Sequence, residues 1–98
     1  VILLPISDKY QKYSEKVLES LENSEIRALV DNRNEKTGRK IRDAEVNKTP
    51  FMVIVGEKEE QDGTVSVRRH GQGDIGSFTI EEFISLIKTE ESKTLKKF

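Results

Sequence analysis

Five polar side chains, spread over three parts of the sequence, have the types needed to recognise a nucleobase. They are Asn34, Lys36, Arg42, Glu59 and Arg68. Arginine can donate two hydrogen bonds to guanine, an amide can both donate and accept, and a carboxylate accepts from a ring or exocyclic N–H. Because uracil presents an N–H where cytosine presents a lone pair, a fixed carboxylate would prefer uracil. The set is suited to bases of unstacked single-stranded RNA, and the competing interpretation is a solvated surface laced with salt bridges.

A basic stretch contains three of these candidates. From Arg33 to Arg42 the sequence has five positive charges against one negative charge, Glu35. The whole chain has a formal net charge of -1, so no global field draws it to nucleic acid or to a membrane surface. An anionic partner must therefore be met locally, and the stretch is interpreted as a rim that attracts RNA phosphates.

Catalytic constellations are missing from the sequence. There is no cysteine and one histidine, His70, which excludes thiolate zinc sites, cysteine nucleophiles and catalytic triads built within this chain. The carboxylates of EKEEQD, residues 57–62, could form a metal or acid/base cluster, but a solvated hairpin loop is the alternative interpretation. The glycines of GQGDIG, residues 71–76, have dinucleotide-loop spacing, yet a helix cap appears only at Thr79 and no strand follows. KTGRK, residues 36–40, is a weak match to a phosphate-binding loop.

The elements that must position the candidates alternate in type along the chain. Strands are predicted over 1–6, 26–30, 51–55, 64–68 and 74–78, and helices over 8–23, 37–47 and from a capping-box pattern at Thr79 and Glu82. This order predicts an α/β fold: a three-layer, mixed and mostly parallel sheet of about five strands flanked by three helices. Ligands of such sheets bind at the carboxyl ends of the strands, where the basic stretch should lie.

Size and composition set the organisation. Ninety-eight residues with 34% hydrophobic content make one domain, predicted over 1–90, with a polar tail over 91–98. The chain begins inside an apolar run, so it is interpreted as a piece of a longer polypeptide. Its longest apolar runs are four or five residues, too short for a membrane span, and the absence of cysteine suits a cytoplasmic protein.

The string RNEKTGRKIRDAEVNKTPFMVIVGEKE, followed by DGTVSVRRHGQGDIGS and an amphipathic helix, resembles the C-terminal anticodon-binding domain of bacterial-type threonyl-tRNA synthetases. The resemblance covers essentially the whole chain. It implies a partner, the anticodon loop of threonine tRNA, whose second and third anticodon bases are guanine and uracil. It places Asn34 and Arg68 at the guanine, Glu59 at a base edge that it accepts from, and Lys36 and Arg42 at phosphate or beside these side chains.

The resemblance also has limits and consequences for the parent protein. Arg39 stands where the family often carries an aromatic residue, so stacking there would need a guanidinium. The parent ligase would be a homodimer that uses ATP, magnesium and zinc in its catalytic domain, with no cofactor in this fragment and no DNA or membrane partner. The alternative function is a structural or protein-interaction module that keeps the fold but has lost tRNA reading. A nucleotide-binding enzyme that uses GQGDIG is the third hypothesis.

Overall fold

The computed structural model describes residues 1–33 and 35–95. Within them the elements are β1 (Ile2–Pro5), α1 (Gln11–Asn23), β2 (Leu29–Val30), α2 (Thr37–Val46), β3 (Phe51–Val55), α3 (Glu57–Asp62), β4 (Thr64–Arg69), β5 (Gly73–Thr79) and α4 (Ile80–Leu95), with one 3-10 turn, Asp8–Tyr10, before α1. No helix in this described part is long and apolar enough to cross a membrane.

The described strands form one mixed sheet in the order β2-β1-β3-β4-β5. β1 pairs in parallel with β2 and β3, while β3, β4 and β5 pair antiparallel. The predicted α/β sheet of five strands is confirmed. Its parallel and antiparallel pairings are equal in number, whereas the sequence indicated a mostly parallel sheet.

One face of the sheet carries the larger core, under α1 and α4. α1 buries Val17 and Leu21, four residues apart, which is the spacing that places side chains on one helical face. Phe83 of α4 stacks edge-on against Phe51 of β3, with ring centroids 5.8 Å apart. The other core residues of this face are Leu3, Ile26, Val53, Val55, Val65, Val67 and Ile87.

The opposite face is covered by α2 over only part of its width. Ala44 and Ile41 of α2 pack on side chains of β1 and β3, namely Ile2, Leu4, Met52 and Ile54. The side chains that β4 presents on this face, Ser66 and Arg68, alternate with the buried Val65 and Val67 and are themselves half-buried. The β4–β5 half of this face is therefore a polar surface.

Two helices differ from the sequence-based prediction. Residues 57–62 were predicted as a hairpin loop, but they form α3, a fourth helix where three were expected. Acidic side chains in its first turn interact favourably with the positive end of the helix dipole and so stabilise the helix. Gly63, with φ 69°, ends the helix in the left-handed conformation. The final helix continues to Leu95 where a polar tail was predicted from residue 91. Residues 96–98 of that tail lie outside the described residues.

The predicted capping box of the final helix is confirmed. The Glu82 backbone N–H donates to Thr79 Oγ1 at 3.1 Å, and the Thr79 N–H donates to Glu82 Oε1 at 2.9 Å. The second strand is only Leu29–Val30, shorter than the predicted 26–30, because the buried Ile26 still belongs to the turn that closes α1 and donates to Leu21 O at 2.9 Å.

Candidate nucleic-acid interface

The polar half of the sheet face, called the open face below, consists of the β4 and β5 side chains on the side of α2: Ser66, Arg68, Asp74 and Ser77. Ser66 pairs with Ile54 and Ser77, and Arg68 pairs with Met52 and Asp74, so the four side chains form two adjacent rows. Residues two apart in a strand lie on one face about 6.5 Å from each other. The side chains of Ser66 and Arg68 thus project from the same surface, and their separation is about the length of one side chain.

Glu59 reaches the open face from α3. Its Oε2 accepts a hydrogen bond from Ser66 Oγ at 3.2 Å, and the side chain is half-buried. A Cβ at Gly56 would lie 2.6 Å from Ile6 Cδ1 and 3.2 Å from Glu59 Oε1. Glycine at this position therefore lets Ile6 and Glu59 approach the end of β3 together.

Arg68 extends its guanidinium along the open face toward β5. Its Nη2 lies 3.9 Å from the position that a Cβ on Gly73 would occupy. Its Nε is buried and has no hydrogen-bond partner among the described residues. A buried donor without an acceptor costs about 1–3 kcal/mol, so a shift of the guanidinium that gives this N–H an acceptor would be favourable.

Three of the five cations in the basic stretch are already occupied. Arg33 pairs with Asp31 at 2.9 Å and with Asp43 at 3.0 Å, and Arg39 lies 3.8 Å from Glu35. The buried ammonium of Lys40 donates to the Asp31 carbonyl oxygen at 2.9 Å. These three cations are therefore less available to a phosphate than cations without a partner, and the attraction of RNA by the whole stretch stays a prediction.

The Arg33 ion pairs also shift the ionisation of their partners. Hydrogen bonds from Arg33 hold the pKa of Asp31 below its ordinary value, although partial burial acts in the opposite direction. The same contacts, first with Asp31 and then with Asp43, raise the pKa of the Arg33 guanidinium. This cluster fixes the loop after β2 against α2, which is a structural task.

Lys36 and Arg42 are the cations of this stretch without an ion-pair partner in the described part of the chain, and both are exposed. Lys36 caps the start of α2, at the carboxyl edge of the parallel strands. Arg42 lies three residues before Glu45, whose Oε2 is 3.6 Å from His70 Nε2 just beyond β4. Because residues three apart share a side of a helix, Arg42 lies on the flank of α2 that borders the open face.

The structure thus brings Glu59 and Arg68 to one surface, with Arg42 at its border and Lys36 at the nearby strand edge. Asn34, the fifth predicted site residue, lies outside the described residues. Ser66, which binds Glu59, was missed by the sequence analysis, although its alternation with the valines of β4 already placed it on the side of Arg68.

The motifs that suggested other chemistry have different structural roles. Residues 71–76 form the turn between β4 and β5 and the first part of β5, so GQGDIG is not the strand–turn–helix of a dinucleotide loop. The described residues contain no group of three or more His, Asp or Glu side chains placed to hold a metal ion, and this includes the acidic residues of α3.

The architecture is that of RNA-binding and anticodon domains in aminoacyl-tRNA synthetases. The RNA binding domain of threonyl-tRNA synthetase from Cryptosporidium parvum superposes with a TM-score of 0.84 at 23% identity, over 90% of this chain and 22% of that chain. Prolyl-tRNA synthetase from the same organism gives 0.81 at 22% identity, over 94% of this chain and 20% of that one. At these identities the likeness shows the fold alone.

Sequence comparison identifies the family. Residues 1–90 match the anticodon binding domain family, and the chain belongs to it. It is 63% identical over 99 residues to the threonine–tRNA ligase of Flavobacterium psychrophilum, and 52% identical over 98 residues to that of Bacteroides fragilis. These alignments cover 99% and 100% of this chain but 15% of each relative. The chain thus spans about one seventh of the length of these ligases.

Proposed function

We propose that this chain is the module of a threonine–tRNA ligase that reads the second and third anticodon bases of threonine tRNA. The observation that carries the proposal is the meeting of Glu59 and Arg68, from α3 and β4, on one polar surface of an anticodon-binding fold. An arginine with unused donors and a fixed carboxylate are complementary to guanine and to a base that presents an N–H.

Each proposed role follows from the chemistry of its side chain. Arg68 donates to the acceptor edge of guanine, the middle base. Asn34 contacts the same guanine, a role that rests on the resemblance to the family alone. Glu59, held by Ser66, accepts from the N–H of uracil and repels the bare lone pair of cytosine. Lys36 and Arg42 neutralise backbone phosphates, which position the loop and add no sequence information.

The parent protein is proposed to be a cytoplasmic, homodimeric ligase in which other domains carry the catalytic residues. ATP, magnesium and zinc would be bound in its catalytic domain, as the resemblance to threonyl-tRNA synthetases implies. The remainder of the synthetase chain is then a permanent partner of this module.

A binding assay with base-substituted anticodon stem-loops tests the proposal. In wild type, replacing the middle guanine by adenine should weaken binding, and Arg68→Ala should remove about 1–3 kcal/mol of that preference. Glu59→Gln should reduce the preference for uracil over cytosine at the third base, since an amide can also donate. Lys12→Ala is the matched control, because Lys12 is an exposed cation on α1, on the opposite face of the sheet.

The competing function makes a different prediction in the same assay. A structural or protein-interaction module would bind stem-loops of every anticodon sequence with equal affinity, or would bind none. Either result in wild type would contradict the decoding role, whatever the family likeness.

A further inference from the structure

A polar pocket lies between the loops that follow β1 and β2, at the carboxyl end of the sheet. β1 continues into α1 on one face of the sheet, and its neighbour β2 continues into α2 on the other face. Ligands of α/β sheets bind at the carboxyl ends of the strands, and the loops that follow β1 and β2 meet at this end of the sheet. A cavity of about 200 Å³ lies at this place. This cavity, called the switch pocket below, could hold several waters of about 30 Å³ each, so it has room for more than an ion.

The switch pocket offers hydrogen-bonding groups that the described structure leaves unused. The amides of Gln11, which is half-buried, and Asn32, which is exposed, line it, and neither has a side-chain hydrogen-bond partner among the described residues. Lys40 also lines it and is 5% exposed. One of its three ammonium donors is used by the Asp31 carbonyl oxygen, which leaves two for other acceptors.

The charges around the pocket decide what kind of ligand fits. Asp8 and Glu35 line the pocket with negative charge against the positive charge of Lys40. Arg33 lines it as well, but its charge is matched by the two carboxylates that it binds. A free phosphate is therefore disfavoured, and an uncharged group with both donors and acceptors suits the lining.

The pocket is continuous with the proposed base-reading surface through Ile6. This side chain is 50% exposed, lines the switch pocket, and lies against Gly56 on the side of Glu59. Strands are spaced about 4.8 Å apart, so the crevice between β1 and β2 lies about 7 Å from β3, from which α3 begins. That separation suits neighbouring nucleotides of one splayed loop.

We propose that the switch pocket holds the base of a third nucleotide of the anticodon loop, next to the two bases that Arg68 and Glu59 read. The inference rests on the proposed function. The base packs its ring on Ile6 and places its edge against the amides of Gln11 and Asn32 and the ammonium of Lys40. Because an amide both donates and accepts, the pocket tolerates different bases, and it contributes affinity more than sequence preference.

Single abasic sites in the stem-loop test this pocket without changing the anticodon. Wild type is titrated with loops in which each nucleotide outside the second and third anticodon positions loses its base in turn. One abasic position should weaken binding by about 5-fold or more, the lower end of the contribution of one unstacked base. In Gln11→Ala with Asn32→Ala, that same abasic site should cost little, because the base has already lost its partners.

The control and the contradictory results are distinct. Gln72→Ala removes an exposed amide in the β4–β5 turn and should keep the full abasic penalty. An equal abasic penalty in wild type and in the Gln11→Ala, Asn32→Ala double variant would overturn the pocket proposal, as would the absence of any penalty. If wild type still prefers guanine and uracil at the two read positions, only the pocket proposal fails. Indifference to those bases would overturn both.

Discussion

The salt dependence of RNA binding should depend on two side chains of the basic stretch and not on all five. Arg33 is neutralised by Asp31 and Asp43, Arg39 lies 3.8 Å from Glu35, and the ammonium of Lys40 is buried. Lys36 and Arg42 are exposed and have no carboxylate partner among the described residues. We expect Lys36→Ala and Arg42→Ala each to remove one phosphate contact from the complex.

The magnitude follows from counterion release. Each neutralised phosphate of a single strand contributes about 0.7 to the slope of log K against log salt concentration. Each variant should therefore lower the slope by about 0.7 and the double variant by about 1.4. When the salt concentration rises from 50 to 200 mM, the affinity for RNA should therefore fall about 2.5-fold less in each single variant than in wild type.

Fluorescence anisotropy of a labelled anticodon stem-loop at several potassium chloride concentrations measures this slope. Lys12→Ala removes an exposed cation from the opposite face and should leave the slope unchanged. The account would be refuted if Lys36→Ala and Arg42→Ala kept the wild-type slope. It would also be refuted if the loss were the same for the control.

Three further substitutions test the site and the fold. Ser66→Ala should release the Glu59 carboxylate and so remove about 0.5–1.5 kcal/mol of the preference for uracil over cytosine, whereas Ser66→Thr should retain most of that preference. Equal preferences in both variants would argue against a role of Ser66 in holding Glu59. Thr79→Ala should lower the free energy of unfolding in urea by about 1 kcal/mol through loss of the helix cap, and Thr79→Ser should restore it. Folding lowers the pKa of Asp31 below its ordinary 3.8, so the stability that its carboxylate contributes is present above pH 3.8 and is lost as the pH falls through the lower folded-state pKa. The acid-induced loss of stability should therefore be smaller in Asp31→Asn than in wild type. An unchanged pH profile of the free energy of unfolding would contradict this.

Elements with strong periodicity could be predicted from the sequence, and those set by local or tertiary geometry could not. α1, β3 and the capping box of α4 follow from apolar spacing and from Thr79 and Glu82. α3 was missed because six residues are too few to show helical periodicity, and its end depends on the left-handed conformation of Gly63. The signal that could have found it is the acidic first turn followed by that glycine.

The candidate site divides in the same way. The types of Glu59 and Arg68 were readable from the sequence, but their meeting depends on α3 turning the carboxylate back onto β4, where Ser66 holds it. Charge counting identified a basic stretch, yet only the fold shows that Asp43, ten residues after Arg33, returns to neutralise it. Ion pairing across a helix and a loop is a tertiary property, which composition cannot reveal.

The most direct test of base reading is the Arg68 Nε–H signal in nitrogen-15 NMR spectra during titration with the threonine anticodon stem-loop, assigned by its loss in Arg68→Lys. Because this N–H belongs to the guanidinium that is proposed to bind guanine, its signal should shift when the middle base is guanine and much less when that base is adenine. A signal that does not move, while backbone amides of α1 and α4 shift instead, would show that RNA binds the opposite face.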